Sequence, residues 1–368
     1  MALNLDSRLE RLRDRRRGLS TLRKAMDSAY SSHSAMVESY ETRSGQKAVR
    51  YTLGAMQAVE RAYTQNSIAE GDRVKSQIEK GLSGIIKVKF DYQGSVPLDV
   101  HIRGISDIDL LVLRAGFITI DPHGSKANTY GSWQGPTPVA LLTELRTRSA
   151  AILKDAFPEV TVNTSGSKSI ALDGGSLRRK VDVVPSHWHD SADYQLSGLK
   201  KDRAVQILVH GENRTIRNLP FRHIHLIEQK NVATTHGVKK VIRLLKTLRN
   251  DSDHSVSIKL SSYDIAGLVW HFANADLTVP ISRELTLLAV AQQRIKMMML
   301  DKQGTMRLMT PDGSRAIVDS KEKFTGLHLL SLELDQLSEE VAKEVVPYYN
   351  LTGGMETARQ RLKESVIL

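Results

Sequence analysis

The chain has 368 residues, 40% of them hydrophobic and 25% charged, with a formal net charge of +11. At ~150 residues per domain, that length corresponds to about two domains or lobes. It contains no cysteine, which excludes disulfides, thiol nucleophiles, iron–sulfur clusters and cysteine-based zinc sites, and fits a reducing, cytoplasmic setting.

No run reaches the ~18 apolar residues that span a bilayer, so no membrane partner is expected. The opening MALNLDSRLERLRDRRRG has no apolar core after its charges and does not read as a secretory signal. The basic excess suits a polyanion, either nucleic acid or nucleotide phosphates, with plain surface solubility as an equal alternative. The excess is uneven: +7 in residues 1–90, −2 in 91–177, +9 in 178–250 and −3 in 251–368.

Residues 5–80 read mostly as helix, with Leu5, Leu9, Leu12, Leu19 and Leu22 near helical spacing. Arg15-Arg16-Arg17 reads as a solvated helix face rather than a nucleic-acid contact. From Ile85 the pattern turns to strand: Ile85 to Phe90 is short and β-rich, and Ile108 to Leu113 reads as a buried strand. Residues 121–136 form the longest polar, glycine-rich loop, a candidate for a mobile or substrate-facing segment. Thr137 to Phe157 is an amphipathic helix stopped by Pro158. Short strands follow at 160–162, 169–172 and 180–184, with Gly-containing turns between them. After about residue 230 the chain is again mainly helical.

Three carboxylates form the sharpest constellation. Asp107 and Asp109 lie two apart at a strand start, and a period of two puts both on one face. Asp182 lies on a later strand, with Val181 and Val183 turned the other way. If the two strands neighbour each other, the three converge, and burying like charges is costly without a cation between them. Hard oxygen ligands suit Mg²⁺. A pair of such ions can activate an attacking hydroxyl and stabilise leaving pyrophosphate. Upstream, Gly94-Ser95 precedes a short helix with Pro97 in its first turn, an arrangement able to hold a phosphate. Alone, an Asp-x-Asp or a Gly-Ser means little; their order and spacing carry the signal.

The series GS, SDIDLLV and VDVV resembles the polymerase-β type of nucleotidyltransferase. In the second lobe, Lys246 followed by Lys259-Leu260-Ser261-Ser262-Tyr263-Asp264-Ile265 resembles one branch of it. That branch holds cyclic GMP-AMP synthase, the oligoadenylate synthases and the bacterial cyclic-oligonucleotide synthases (CD-NTases). The resemblance covers roughly residues 75–275. It implies an α/β (α+β) fold: a nucleotidyltransferase lobe with a mixed sheet plus a helical lobe, the two flanking a nucleotide cleft. The expected division is 1–75 as N-terminal helices packing on the catalytic core, 76–225 as the catalytic lobe and 226–368 as the helical lobe.

The resemblance makes Asp107, Asp109 and Asp182 the ligands of two Mg²⁺, with Mn²⁺ as a substitute. Asp182 also helps deprotonate the attacking ribose hydroxyl. Gly94 and Ser95 match the phosphate-binding turn, and Lys246 a lysine reaching the donor phosphates. Ser262 matches a residue near phosphates or base, and Tyr263 one that stacks on the base. Independently, Lys239, Arg243 and Lys246 form a basic stripe beside an apolar one of Val238, Val241, Leu245 and Leu248.

The implied partners are nucleoside triphosphates, ATP and/or GTP, and a downstream effector that senses the product. Without cysteine the zinc thumb of the animal DNA sensor cannot form, so nucleic acid as an activator is unsupported. The terminal Ser365-Val366-Ile367-Leu368 gives no support to regulation by C-terminal conjugation. His187-x-His189 and His223-x-His225 have strand-like spacing but no third ligand, and read as structural. Arg178-Arg179-Lys180 reads equally as a phosphate contact or a turn-flanking cluster. The leading expectation is a synthase making a cyclic di- or trinucleotide second messenger in antiphage defence. The alternatives are a template-independent transferase making linear 2′-5′ oligonucleotides or extending RNA, and an inactive nucleotide- or RNA-binding module.

Overall fold

A computed structural model describes residues 4–17, 38–345 and 354–367. Leu19, Leu22 and Leu368 lie outside the described residues. The chain opens with α1 (Leu5–Arg17), α2 (Ser39–Thr42), α3 (Lys47–Met56) and α4 (Arg61–Leu82). Next come β1 (Val88–Gln93), β2 (Ile108–Ile120), α5 (Pro138–Ala156), β3 (Thr161–Asn163), β4 (Ile170–Asp173) and β5 (Val181–Asp190). They are followed by α6 (Ala192–Ser197), β6 (Ala204–Val209), β7 (Arg214–Asn218), α7 (Pro220–Ala233), α8 (Gly237–Asp251) and α9 (Ser262–Trp270). The chain closes with α10 (Asn274–Leu277), α11 (Thr286–Leu300), α12 (Lys302–Arg307), α13 (Lys321–Val345) and α14 (Gly354–Glu364).

Two compact units result, one of residues 1–59, 100–104 and 227–368, the other of 60–99 and 105–226. This redraws the expected division. Residues 1–59 group with the C-terminal helices rather than with the sheet, because α1 and α13 pack on α3, and α3 packs on α8.

The sheet unit is built on a mixed sheet in the order β1-β2-β5-β4-β3, with β6 joining β5 and β7. β2 and β5 run parallel; the other pairings are antiparallel. On β2 the alternation sends Ile108, Leu110 and Val112 to one face, where they pack with Val181 and Val183 of β5. Val74, Ile78 and Leu82 of α4 and Leu142, Leu145 and Leu153 of α5 cover that face. Leu111, Leu113 and Val184 turn the other way, against Val205, Ile207 and Phe221. A strand apolar on both faces is buried on both faces, and each such Leu or Val contributes roughly 1.5–3 kcal/mol.

The five strands expected from sequence are present, but β2 runs on to Ile120 and β5 to Asp190, and β6 and β7 were not expected. β5 crosses Pro185, a residue with no N–H to give. That is tolerated because Pro185 falls where one side of β5 changes partner, from β4 at Val183 to β6 at Ser186. α5 begins as expected, its N-cap Thr137 accepting from the Ala140 N–H and Pro138 in the first turn. The expected short helix after Ser95 is a turn instead, closed by the Asp99 N–H donating to the Val96 carbonyl. The loop at 121–136 is anchored rather than free. Tyr130 donates to Asp190 at 3.0 Å, and Trp133 meets Phe117 edge to face.

In the helical unit the N-terminal arginines are spent on carboxylates. Arg15 makes a two-pronged pair with Asp251 (2.6 and 2.8 Å), and Tyr51 donates to the same carboxylate. Arg16 donates to Glu38 at 2.7 Å and to the Ala58 carbonyl at 2.9 Å. Arg17 reaches Glu41, and Arg8 reaches Glu333. Arg15 and Arg16 of the expected solvated face are thus in internal ion pairs, while Arg17, 48% exposed, stays at the surface as expected. Charge-assisted bonds of this kind are stronger than neutral ones.

His187 on β5 is fully buried, with Nδ1 at 2.9 Å from the Trp188 carbonyl and its ring against Phe117. Burial pushes its pKa down from 6.5 to about 4. The unfolded chain therefore takes up a proton between those values and the folded one does not. Stability from this group is complete above pH 6.5 and lost as pH falls to about 4, on the order of 3 kcal/mol. Melting temperature should fall across that window, and His187→Phe should flatten part of the slope. An unchanged slope in the variant would assign the dependence to other groups.

Candidate active site

Parallel pairing of β2 with β5 sets Asp109 directly opposite Asp182. Both point to the face of Leu111 and Val184, away from α4 and α5, as the alternation of valines around Asp182 implies. Gln93, the last residue of β1, pairs with Asp109, so the turn at Gly94 comes up against the same carboxylate. A Cβ at Gly94 would stand 2.2 Å from Asp109 Oδ2, and Gly94 sits at φ +81°. Glycine is required there for both reasons. Ser95 follows, half-buried.

Convergence of the three carboxylates is incomplete. Among the described residues no three His, Cys, Asp or Glu side chains gather closely enough to hold a metal ion. Asp107 is engaged by Lys180, whose Nζ lies 2.6 Å from Asp107 Oδ2 and 3.7 Å from Asp182 Oδ1. That Asp182 oxygen is buried and accepts no hydrogen bond. Burial raises the Asp182 pKa, the Lys180 charge opposes this, and the Asp107 charge adds to it. Burial would lower the Lys180 pKa, but its bond to Asp107 and the surrounding carboxylates raise it overall. An oxygen-only donor set with an unsatisfied buried carboxylate oxygen suits a hard divalent cation.

Lys180 was visible in the sequence only as part of a basic cluster. Its signal is the period of two, which puts it on the face of Asp182. Arg179, its neighbour, lies over the Tyr63 ring at 4.1 Å.

The other expected residues lie in the helical unit. α8 forms as expected, but it is buried on nearly all sides, and its cations are not a solvated stripe. Lys239 pairs with Glu228, Arg243 donates to the Met56 carbonyl at 3.1 Å, and Lys246 to the Val100 carbonyl at 2.6 Å. The helix lies among α3, α9, α11 and α13, so its polar face has protein neighbours that amphipathicity alone does not reveal. The charges of Lys246 and Arg243 also fall on buried His101. Burial first, then those cations, push its pKa down to about 4.

Ser262 opens α9, behind a capping box of Ser261 and Asp264. Tyr263 is half-buried, and its hydroxyl donates to Asp312 Oδ2 at 2.8 Å. Burial and the Asp312 charge hold that hydroxyl protonated. Arg315 lies 5.6 Å from the Tyr263 ring centre and pairs with Asp264. Asp312 and Arg315 are about fifty positions downstream of Tyr263, and nothing local in the sequence marks them.

Gly94→Ala should cost stability through both strain and the clash with Asp109, roughly 2–4 kcal/mol. Gly174→Ala has a similar φ (+76°) and open space around it, so it bears only the strain. Denaturant unfolding of the two variants should therefore rank Gly94→Ala as the less stable. Equal losses would refute the close approach.

A family model for the cGAS/DncV-like nucleotidyltransferase C-terminal helical domain matches residues 225–329. The cyclic dinucleotide synthase CdnE of Yersinia aleksiciae is 37% identical over 310 residues, covering 84% of this chain and 80% of the relative. A c-di-GMP synthase from a Lachnospiraceae bacterium is 31% identical over 251 residues, covering 62% of this chain and 70% of the relative. Among solved structures, a STING-associated CdnE c-di-GMP synthase from Capnocytophaga granulosa aligns with a TM-score of 0.71 at 24% identity. That alignment covers 93% of this chain and 100% of the other, and it shows a shared fold. With its mixed sheet, its Gly94 turn against Asp109, and Asp109 set opposite Asp182, the chain belongs to the cGAS/DncV-like nucleotidyltransferase family.

Proposed function

We propose that this chain joins two nucleoside triphosphates, GTP or ATP, into a cyclic dinucleotide with release of pyrophosphate. The product is a second messenger of antiphage defence, read by a separate effector. The observation carrying this reading is the parallel register that puts Asp109 opposite Asp182 beside the Gly94 turn. The relatives named cyclic dinucleotide synthase and c-di-GMP synthase favour ring closure over a linear product, and favour guanine as one base. An RNA-extending role loses part of its support, since Arg15 and Arg16 of α1 are bound to internal carboxylates.

Asp107, Asp109 and Asp182 would hold Mg²⁺, with Mn²⁺ as a substitute. Bound there, the ions supply charge neutralisation at the triphosphate and a lowered pKa for the attacking hydroxyl. The protein's own share is positioning and proton transfer. Asp182 takes the proton of the attacking ribose hydroxyl. That oxygen bonds to the α-phosphorus, the bond from α-phosphorus to the β-phosphate bridging oxygen breaks, and pyrophosphate leaves. A second round on the linear intermediate closes the ring. Exposed backbone at Gly94 and the Ser95 hydroxyl hold phosphate. Lys246 and Arg243 are assigned to the donor phosphates by the family resemblance and would have to leave the Val100 and Met56 carbonyls to reach them, while Ser262 and Tyr263 hold the base. Fixing both reactants removes much of the entropic barrier.

Incubation with each labelled triphosphate and Mg²⁺, then phosphatase, should leave a resistant product, as a cyclic species has no terminal phosphate. Phosphatase-sensitive ladders would indicate the linear alternative. Asp182→Asn and Asp109→Asn should each lower turnover by at least about 10²-fold with the fold intact by circular dichroism. Wild-type turnover in both variants would overturn the carboxylate assignment.

A further inference from the structure

We infer that Lys180 is a resident countercation, holding the carboxylates of Asp107 and Asp182 until a divalent cation displaces it. The inference rests on reading those carboxylates as the metal ligands. Its basis is geometric. The ammonium hydrogen-bonds Asp107 Oδ2 at 2.6 Å and lies 3.7 Å from Asp182 Oδ1. It is the group that stands between the first and third carboxylates of the constellation. Lys180 comes just before β5, and its carbonyl accepts from the Ile108 N–H, so the β2–β5 ladder itself fixes its backbone.

Two physical arguments give the contact a role. Asp107, Asp109 and Asp182 crowd like charges at one end of two strands, where partial burial makes their repulsion costly. A built-in ammonium relieves that repulsion when no metal is bound. Lysine also suits a part that must leave. It is a point charge on a flexible four-carbon stem, whereas arginine would grip a carboxylate through a two-pronged, pre-organised fork. The Lys180 side chain is 36% exposed, so water is available to it on release. Because the ammonium and the metal compete for Asp107, each weakens binding of the other by the same factor.

The test uses the nucleotide-free full chain, with MgCl₂ as the probe, followed by calorimetric titration and thermal melting. Lys180→Met should melt lower than wild type without Mg²⁺ and bind Mg²⁺ more tightly. The gain should be roughly 1.5- to fivefold, the range a partly exposed ion pair covers. Lys180→Arg keeps the charge and should bind Mg²⁺ more weakly than wild type, which gives a second readout if the Met variant does not fold. Equal or weaker Mg²⁺ binding by Lys180→Met, or unchanged binding by Lys180→Arg, would overturn the role of Lys180 alone. If neither wild type nor Lys180→Met takes up Mg²⁺, while Asp107→Asn behaves identically, the metal reading itself falls, and this inference with it.

Discussion

Parallel pairing of β2 with β5 is the constraint on which the site depends. The ladder places Asp109 opposite Asp182, and the alternation of side chains sends both to the face not covered by α4 and α5. A shift of one residue in either strand would turn that strand's carboxylate toward Val74, Leu142 and Leu145, at a cost of several kcal/mol. The apolar residues on either side of each aspartate therefore do more than fill a core. They set the register that aims the carboxylates, and β1 carries the Gly94 turn to the same end of the sheet.

Charge is organised by the same logic of pairing. The net +11 suggests a broad polyanion surface, yet much of the positive charge is directed inward. Arg8, Arg15 and Arg16 of α1 are held by Glu333, Asp251 and Glu38. These bonds fasten α1 within the helical unit, so part of the basic block near the N-terminus is an internal fastening. The cations of α8 are also buried, where each must meet an oxygen to offset its desolvation. Lys246 does so at the Val100 carbonyl, which belongs to the short segment 100–104. Val100 and Ile102 of that segment are buried within the helical unit, whereas Val96 and Leu98 just before it are buried in the sheet unit.

The carboxylates, the Gly94 turn and five of the seven strands were legible in the sequence because each has a short period or a fixed spacing. Val181, Asp182 and Val183 state by alternation which way Asp182 points. The role of Lys180 follows from the same period of two, but a cluster of Arg178, Arg179 and Lys180 hides which member faces the site. Tyr263 was singled out through the family resemblance, whereas its partner Asp312 was not, since their contact spans 49 positions. The loop 121–136 looked free because its composition is polar; its anchors, Asp190 and Phe117, come from other strands.

By itself, the sequence determined the chemistry available: three carboxylates and a glycine-serine turn in a fixed order, no thiol, and an alternation that separates acid from core. These are properties of nearest neighbours along the chain, and local steric and solvation rules are enough to read them. Only the tertiary structure decided which charges are available and which are already paired. It turned Arg8 and Arg16 of α1 and Lys239, Arg243 and Lys246 of α8 inward, and it placed an ammonium between Asp107 and Asp182. The physical reason is that a charge's state depends on what packs against it in space, and those partners lie anywhere from two to more than three hundred positions away.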